Sequence, residues 1–139
     1  MKFHIPSTLY TPEIWADPIA RQVFLRGACF PEDSVAFFQP FRLFIQENLS
    51  DFQKGPTLFH VELTYINSSG QRELYQVLHE LLQNGIEVGL VIYLGEEEEL
   101  DDLRHVIAGL SRLGLNKVEY RREYCSIAPI TKEAPPSEG

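Results

Sequence analysis

The stretch LFHVELTYINSSGQRELYQVLHELLQNG, residues 58–85, changes its hydrophobic period once, and that change sets the fold class. From Leu58 to Ile66 the residues alternate, with Phe59, Val61, Leu63 and Tyr65 facing one way and His60, Glu62 and Thr64 the other. This predicts a strand with one covered face and one wetter face. From Gln71 to Asn84 the period becomes helical, placing Leu74, Val77, Leu78, Leu81 and Leu82 on one side, and Gly85 stands where a C′ glycine ends a helix. The nearly continuous apolar run Ile86 to Leu94 then supplies a second, centrally placed strand, so strand, helix and strand form a right-handed crossover unit.

The same reading extends in both directions. Gly95 breaks the second strand, and Glu96 to Leu113 predicts a helix with Leu100, Leu103, Ile107 and Leu110 as its stripe. Gly114 ends it, and Lys117 to Tyr124 alternates apolar and charged residues as an edge strand does. Towards the N-terminus, Leu9 to Trp15 and Gln22 to Cys29 read as an antiparallel hairpin turning at Asp17-Pro18. Pro31-Glu32-Asp33-Ser34 is a helix-start signature, and Phe37, Phe38, Phe41, Phe44 and Ile45 share one helical face behind it. Pro40 cannot donate to the carbonyl four residues back, so either the helix is kinked or, as preferred here, one turn is followed by a helix starting near Pro40. The expected order is β-β-α-β-α-β-α-β. The expected fold is α/β (α+β), a single mixed sheet with helices mainly on one face.

Length and composition agree with one such domain. The 139 residues are 44% hydrophobic and 12% aromatic, enough for a packed core. Residues 1–127 form the expected domain. Residues 128–139, APITKEAPPSEG, are short of large apolar side chains and are expected to be a disordered tail. A net charge of −8 argues against binding nucleic acid or an anionic membrane through the global field. The N-terminus has no leader-like apolar region, and no run reaches the roughly 18 apolar residues of a membrane span, so a cytoplasmic domain without membrane insertion is expected. Cys29 and Cys125 are too few for a disulfide framework and lack metal-ligand spacing.

Chemistry is sparse. His4, His60, His79 and His105 show no i,i+4 pair, and no Ser or Cys stands in an arrangement suggesting a His and an orienting acid beside it. Cys29 reads as a small buried hydrophobe. The acids Glu96, Glu97, Glu98, Glu99, Asp101 and Asp102 match a helix N-terminus and lack the Asx/Gly loop of a calcium site, so no metal or cofactor is expected. Glu96, Glu97 and Glu98 remain candidates for a docking surface beyond the end of the second strand. The informative segment is Tyr65-Ile66-Asn67-Ser68-Ser69-Gly70-Gln71, where strand gives way to helix. Its structural reading is a cap: Ser68 or Ser69 closes the helix, with Ser68 and Gln71 in S-x-x-Q spacing. A hydroxyl at that place is also presented to solvent, and a phosphate there would suit the helix N-terminus while changing what can dock.

Thr11-Pro12-Glu13-Ile14, Gly27, Phe30-Pro31-Glu32-Asp33-Ser34, Phe38 with Pro40, and Tyr65-Ile66-Asn67-Ser68-Ser69 occur in an order and at gaps that resemble the SiaC family of bacterial regulatory phosphoproteins. Asn67-Ser68-Ser69-Gly70 is also similar to the acceptor stretch of STAS-type anti-sigma factor antagonists, and the fold is expected to be STAS-like in general character. The resemblance implies a non-catalytic protein whose phosphoacceptor is Ser68, set in a motif of Tyr65, Asn67, Ser69 and Gly70. It implies phosphorylation by an anti-sigma-type serine/threonine kinase, removal by a PP2C-like phosphatase, and activation of a diguanylate cyclase by the unmodified form. Here Ser68 replaces the family's usual Thr, and Gly70 stands where a third hydroxyl is common. Two alternatives differ in output: an anti-sigma-factor antagonist acting on the kinase-like partner itself, and a small metal- or ligand-binding domain using the acidic helix start.

Overall fold

In a computed structural model, residues 2–93 and 117–121 are described. Six strands form one mixed sheet in chain order: β1 (Phe3–Ile5), β2 (Glu13–Asp17), β3 (Gln22–Cys29), β4 (Thr57–Ile66), β5 (Val88–Tyr93) and β6 (Lys117–Arg121). The β1–β2 and β2–β3 pairs are antiparallel, and β3 to β6 run parallel. Among the described residues the helices are α1 (Ser34–Glu47), the single turn α2 (Leu49–Phe52) and α3 (Ser68–Gln83). The expected mixed α/β sheet is thus present. The expected helix over 96–113, the end of the last strand at 122–124 and the tail at 128–139 lie outside the described residues. Among the described residues no helix is long and apolar enough to cross a membrane.

Parallel neighbours in sequential order need crossovers that advance in one direction, and right-handed crossovers then all fall on one face. Accordingly α1 and α3 bury Phe38, Phe41, Leu74 and Leu78 in the same core as Val23, Leu25, Phe59, Val61 and Leu90 from the sheet. Arg42 of α1 joins the two helices, its guanidinium donating to Glu73 at 3.1 Å and also to Glu80.

Several local expectations are corrected. The chain gains a strand, β1, because Phe3 packs on Phe41 and Phe44 with ring centroids 5.8 and 5.2 Å away. Residues 9–12 are not strand; β2 starts at Glu13. The turn after it is held by Asp17 Oδ1, which accepts from the amides of Ile19 and Ala20. Helix α1 does not restart at Pro40 but runs through it from an Asp33 cap, with Phe38, Phe41, Phe44 and Ile45 buried on one side. That buried face outweighs the one missing hydrogen bond, which falls on the exposed side of the helix.

The second face of the sheet is drier than its sequence suggests. Register places Trp15, Phe24, His60 and Val91 side by side across β2 to β5. Trp15, Phe24, Val91 and Tyr93 form a second apolar cluster on this face. His60 is only 3% exposed within this layer, where Gln22 Oε1 lies 2.7 Å from Nε2 and the Tyr93 hydroxyl 2.9 Å from Nδ1. Lys2 and Arg121 lie over the outer rings, Trp15 and Tyr93, at 5.5 and 5.9 Å.

Candidate functional site

The β3–β4 ladder carries an irregularity that shapes the candidate site. Gly27 pairs with Leu63, but the next residue, Ala28, pairs with Tyr65, so Thr64 is an extra residue on β4. Gly27 opposite has φ +112°, a backbone that L side chains rarely adopt. An inserted residue flips every later side chain to the other face. Ile66 therefore enters the helix-side core, and Tyr65, expected to share a face with Leu63, is 46% exposed instead. Phe30 packs edge-on against both Tyr65 and Tyr10, with centroids 5.2 Å away in each case. The Phe30 amide donates to Tyr10 O at 2.8 Å, which fixes that loop to the end of β3. Tyr10 is 57% exposed and Leu9 more so, giving this end of the sheet an apolar, aromatic surface.

Beyond Ile66 the chain leaves the sheet through Asn67. Its amide donates to Cys29 O at 2.9 Å, and its extended backbone (φ −81°, ψ 171°) is that of an N-cap. The cap of α3 is Asn67 and not either serine: Asn67 Oδ1 accepts from the Gly70 amide at 2.8 Å. The S-x-x-Q spacing is thus not used as a capping box, because the helix already begins at Ser68. A residue with β-region backbone and a short acceptor side chain immediately precedes it, and that is Asn67. Gly70 is required by space and not by dihedral angle. A Cβ there would lie 2.9 Å from Asn67 Oδ1 and 3.0 Å from Cys29 Sγ. Cys29 itself is a buried free thiol pushed up to about 12 by burial, the inert small hydrophobe its context implied.

The two serines differ. Ser68, in the first turn of α3, is exposed, and among the described residues its hydroxyl has no hydrogen-bond partner. Ser69 is half-buried, with its Oγ 2.8 Å from Ser34 Oγ and 3.4 Å from Asn67 Oδ1. Ser34 opens α1 and is 4% exposed, so the N-termini of α1 and α3 start side by side at the C-terminal ends of β3 and β4. In open parallel sheets this is the end at which sites are built. Ser34, Phe30 and Tyr10 were not marked as site residues by sequence, and the contacts that bring them here span 35 residues or more between Ser34 and Ser69 or Phe30 and Tyr65. Glu96, Glu97 and Glu98 lie outside the described residues. Among the described residues no group of three His, Cys, Asp or Glu side chains is placed to hold a metal ion.

Comparison with known proteins gives one family. A sequence model of the SiaC family regulatory phosphoproteins matches residues 5–104. The apo-SiaC crystal structure from Pseudomonas aeruginosa superposes with a TM-score of 0.69 at 23% identity, covering 87% of this chain and 98% of that one. A second structure of SiaC from the same organism gives a TM-score of 0.68 at 23% identity, over 88% and 98% of the two chains. SiaC in complex with the diguanylate cyclase SiaD, which it activates, gives 0.65 at 24% identity over 86% and 98%. No curated protein matches by sequence. The family match begins in the first strand and runs through both helix starts and the exposed serine, and on that extent the chain belongs to the SiaC family of regulatory phosphoproteins.

Proposed function

We propose that this chain is a cytoplasmic, non-catalytic regulator whose docking on an effector is gated by phosphorylation of Ser68. The observation that carries the reading is the exposure of the Ser68 hydroxyl. It sits in the first turn of α3, takes no part in capping, and lies three residues after the exposed ring of Tyr65. The effector is a diguanylate cyclase, as it is for the P. aeruginosa relative. An anti-sigma-type serine/threonine kinase places the phosphate and a PP2C-like phosphatase removes it.

In the unmodified state the Leu9, Tyr10, Phe30 and Tyr65 surface is available for burial by the partner. A phosphate adds about −1.5 to −2 charge beside that surface and must be desolvated if the partner is to stay. A penalty of about 3 kcal/mol weakens binding more than a hundredfold, enough for a switch. The helix start tolerates the modification in the free protein, because negative charge is favourable at a helix N-terminus.

The test is the affinity of three forms for a SiaD-like diguanylate cyclase from the same organism. Ser68→Ala should bind and stimulate cyclase activity as the unmodified chain does, and Ser68→Glu should bind poorly. Equal affinity of the two variants overturns the gate.

A further inference from the structure

We infer that Ser34 decides which of the two adjacent serines takes the phosphate, by holding the Ser69 hydroxyl in a bond across the two helix starts. This inference rests on the phosphorylation proposed above and concerns its selectivity. Phosphoryl transfer from ATP forms a bond between a serine Oγ and the γ-phosphorus, breaks the bond from that phosphorus to the ADP oxygen, and passes the hydroxyl proton to a base on the kinase. The acceptor must therefore offer a free lone pair in line with the leaving group and a proton the base can reach.

Ser68 meets both conditions: its side chain is exposed and its hydroxyl is unengaged among the described residues. Ser69, one residue on, is half-buried and its hydroxyl is already engaged. Its Oγ is 2.8 Å from Ser34 Oγ, so either its proton is donated to Ser34 or one of its lone pairs is occupied by the Ser34 proton. Asn67 Oδ1, at 3.4 Å, stands on a second side. Ser34 is nearly fully buried, so a phosphate on Ser69 would also push a dianion towards the junction of α1 and α3. The register of one helical residue, fixed by the Asn67 cap, thus separates an acceptor from a non-acceptor.

The experiment is phosphorylation with ATP and an anti-sigma-type serine kinase from the same organism, with fragment mass spectra locating the phosphate. The chain itself should carry one phosphate, on Ser68. Ser68→Ala should incorporate at least tenfold less, and the double variant Ser34→Ala/Ser68→Ala should recover incorporation, now on Ser69. Ser34→Cys in the Ser68→Ala background keeps the shape of this buried side chain with a much weaker hydrogen-bonding group, and serves if the alanine variant does not fold. Phosphate on Ser69 of the single Ser68→Ala variant at the rate seen for Ser68 overturns the role of Ser34 alone. So does a folded double variant that stays as poor an acceptor as Ser68→Ala. A chain that takes no phosphate at all overturns the proposed function, and the selectivity with it.

Discussion

The imidazole of His60 lies flat on the ring of Phe24, with centroids 4.4 Å apart and planes 9° from parallel. Tyr93 continues the stack on the far side of His60 and Trp15 meets Phe24 edge-on, so a titratable ring sits inside an aromatic row that crosses the sheet. Burial opposes the charged imidazolium and the Arg121 cation opposes it further, while Glu119 offsets part of this; together they lower the His60 pKa to about 4.

A pH dependence of stability follows. The folded chain holds the His60 proton less tightly than the unfolded chain, whose imidazole has the ordinary value of 6.5. Stability from this group is full above the unfolded value and falls as pH drops through the window down to the folded value, by roughly 2 kcal/mol at pH 5. Urea unfolding at pH 7.5 and pH 5.0 measures the loss. His60→Phe keeps the stack and should flatten the difference; an equally steep loss in that variant assigns it elsewhere.

The cap of α3 should be sensitive at Gly70 despite alanine's better helix propensity. The added methyl would meet Asn67 Oδ1 at 2.9 Å and Cys29 Sγ at 3.0 Å, displacing the cap acceptor. Gly70→Ala is expected to cost about 1–2 kcal/mol, where an unhindered helix interior would gain up to about 1. Asn67→Ala should cost about 1 kcal/mol and Asn67→Asp much less, because aspartate supplies the same acceptor. Denaturant midpoints order these variants directly.

Arg42 spans the α1–α3 interface to Glu73, which is 6% exposed, and to the less buried Glu80. Removing the cation leaves the Glu73 carboxylate in the core without this partner, so Arg42→Ala should destabilise by about 2 kcal/mol. Adding Glu73→Gln to that variant removes the uncompensated charge and should recover part of the loss. A double-mutant cycle of thermal or urea unfolding checks the sign of the coupling.

What the sequence made legible was local. The alternation of residues 58–63, the helical stripe from Leu74 to Leu82, Gly85 with its φ of +78°, and the apolar run of β5 each specify their element within one window. The serine turn was found for the same reason, since strand and helix meet there. Missed features depend on residues far apart in the chain. The three-residue β1 exists because Phe3 reaches Phe41 and Phe44. Pro40 stays helical because of the face that α1 buries. The flip at Tyr65 needs Gly27 on the neighbouring strand, and the dryness around His60 needs Trp15, Phe24 and Tyr93 from three others. The cap is a finer miss: Asn67, Ser68 and Ser69 are all good N-caps by type, and only the backbone at the end of β4 selects the first.

Strand order in the sheet repeats chain order without a transposition. During synthesis each new strand can therefore join the edge formed by the one before it, with no slot held open for a later arrival. The aromatic loop, both helix starts and the serine pair all lie between residues 9 and 70. The gated surface can thus be assembled on a nascent chain before β5 and β6 have emerged, and the later strands brace a platform whose working edge is already laid.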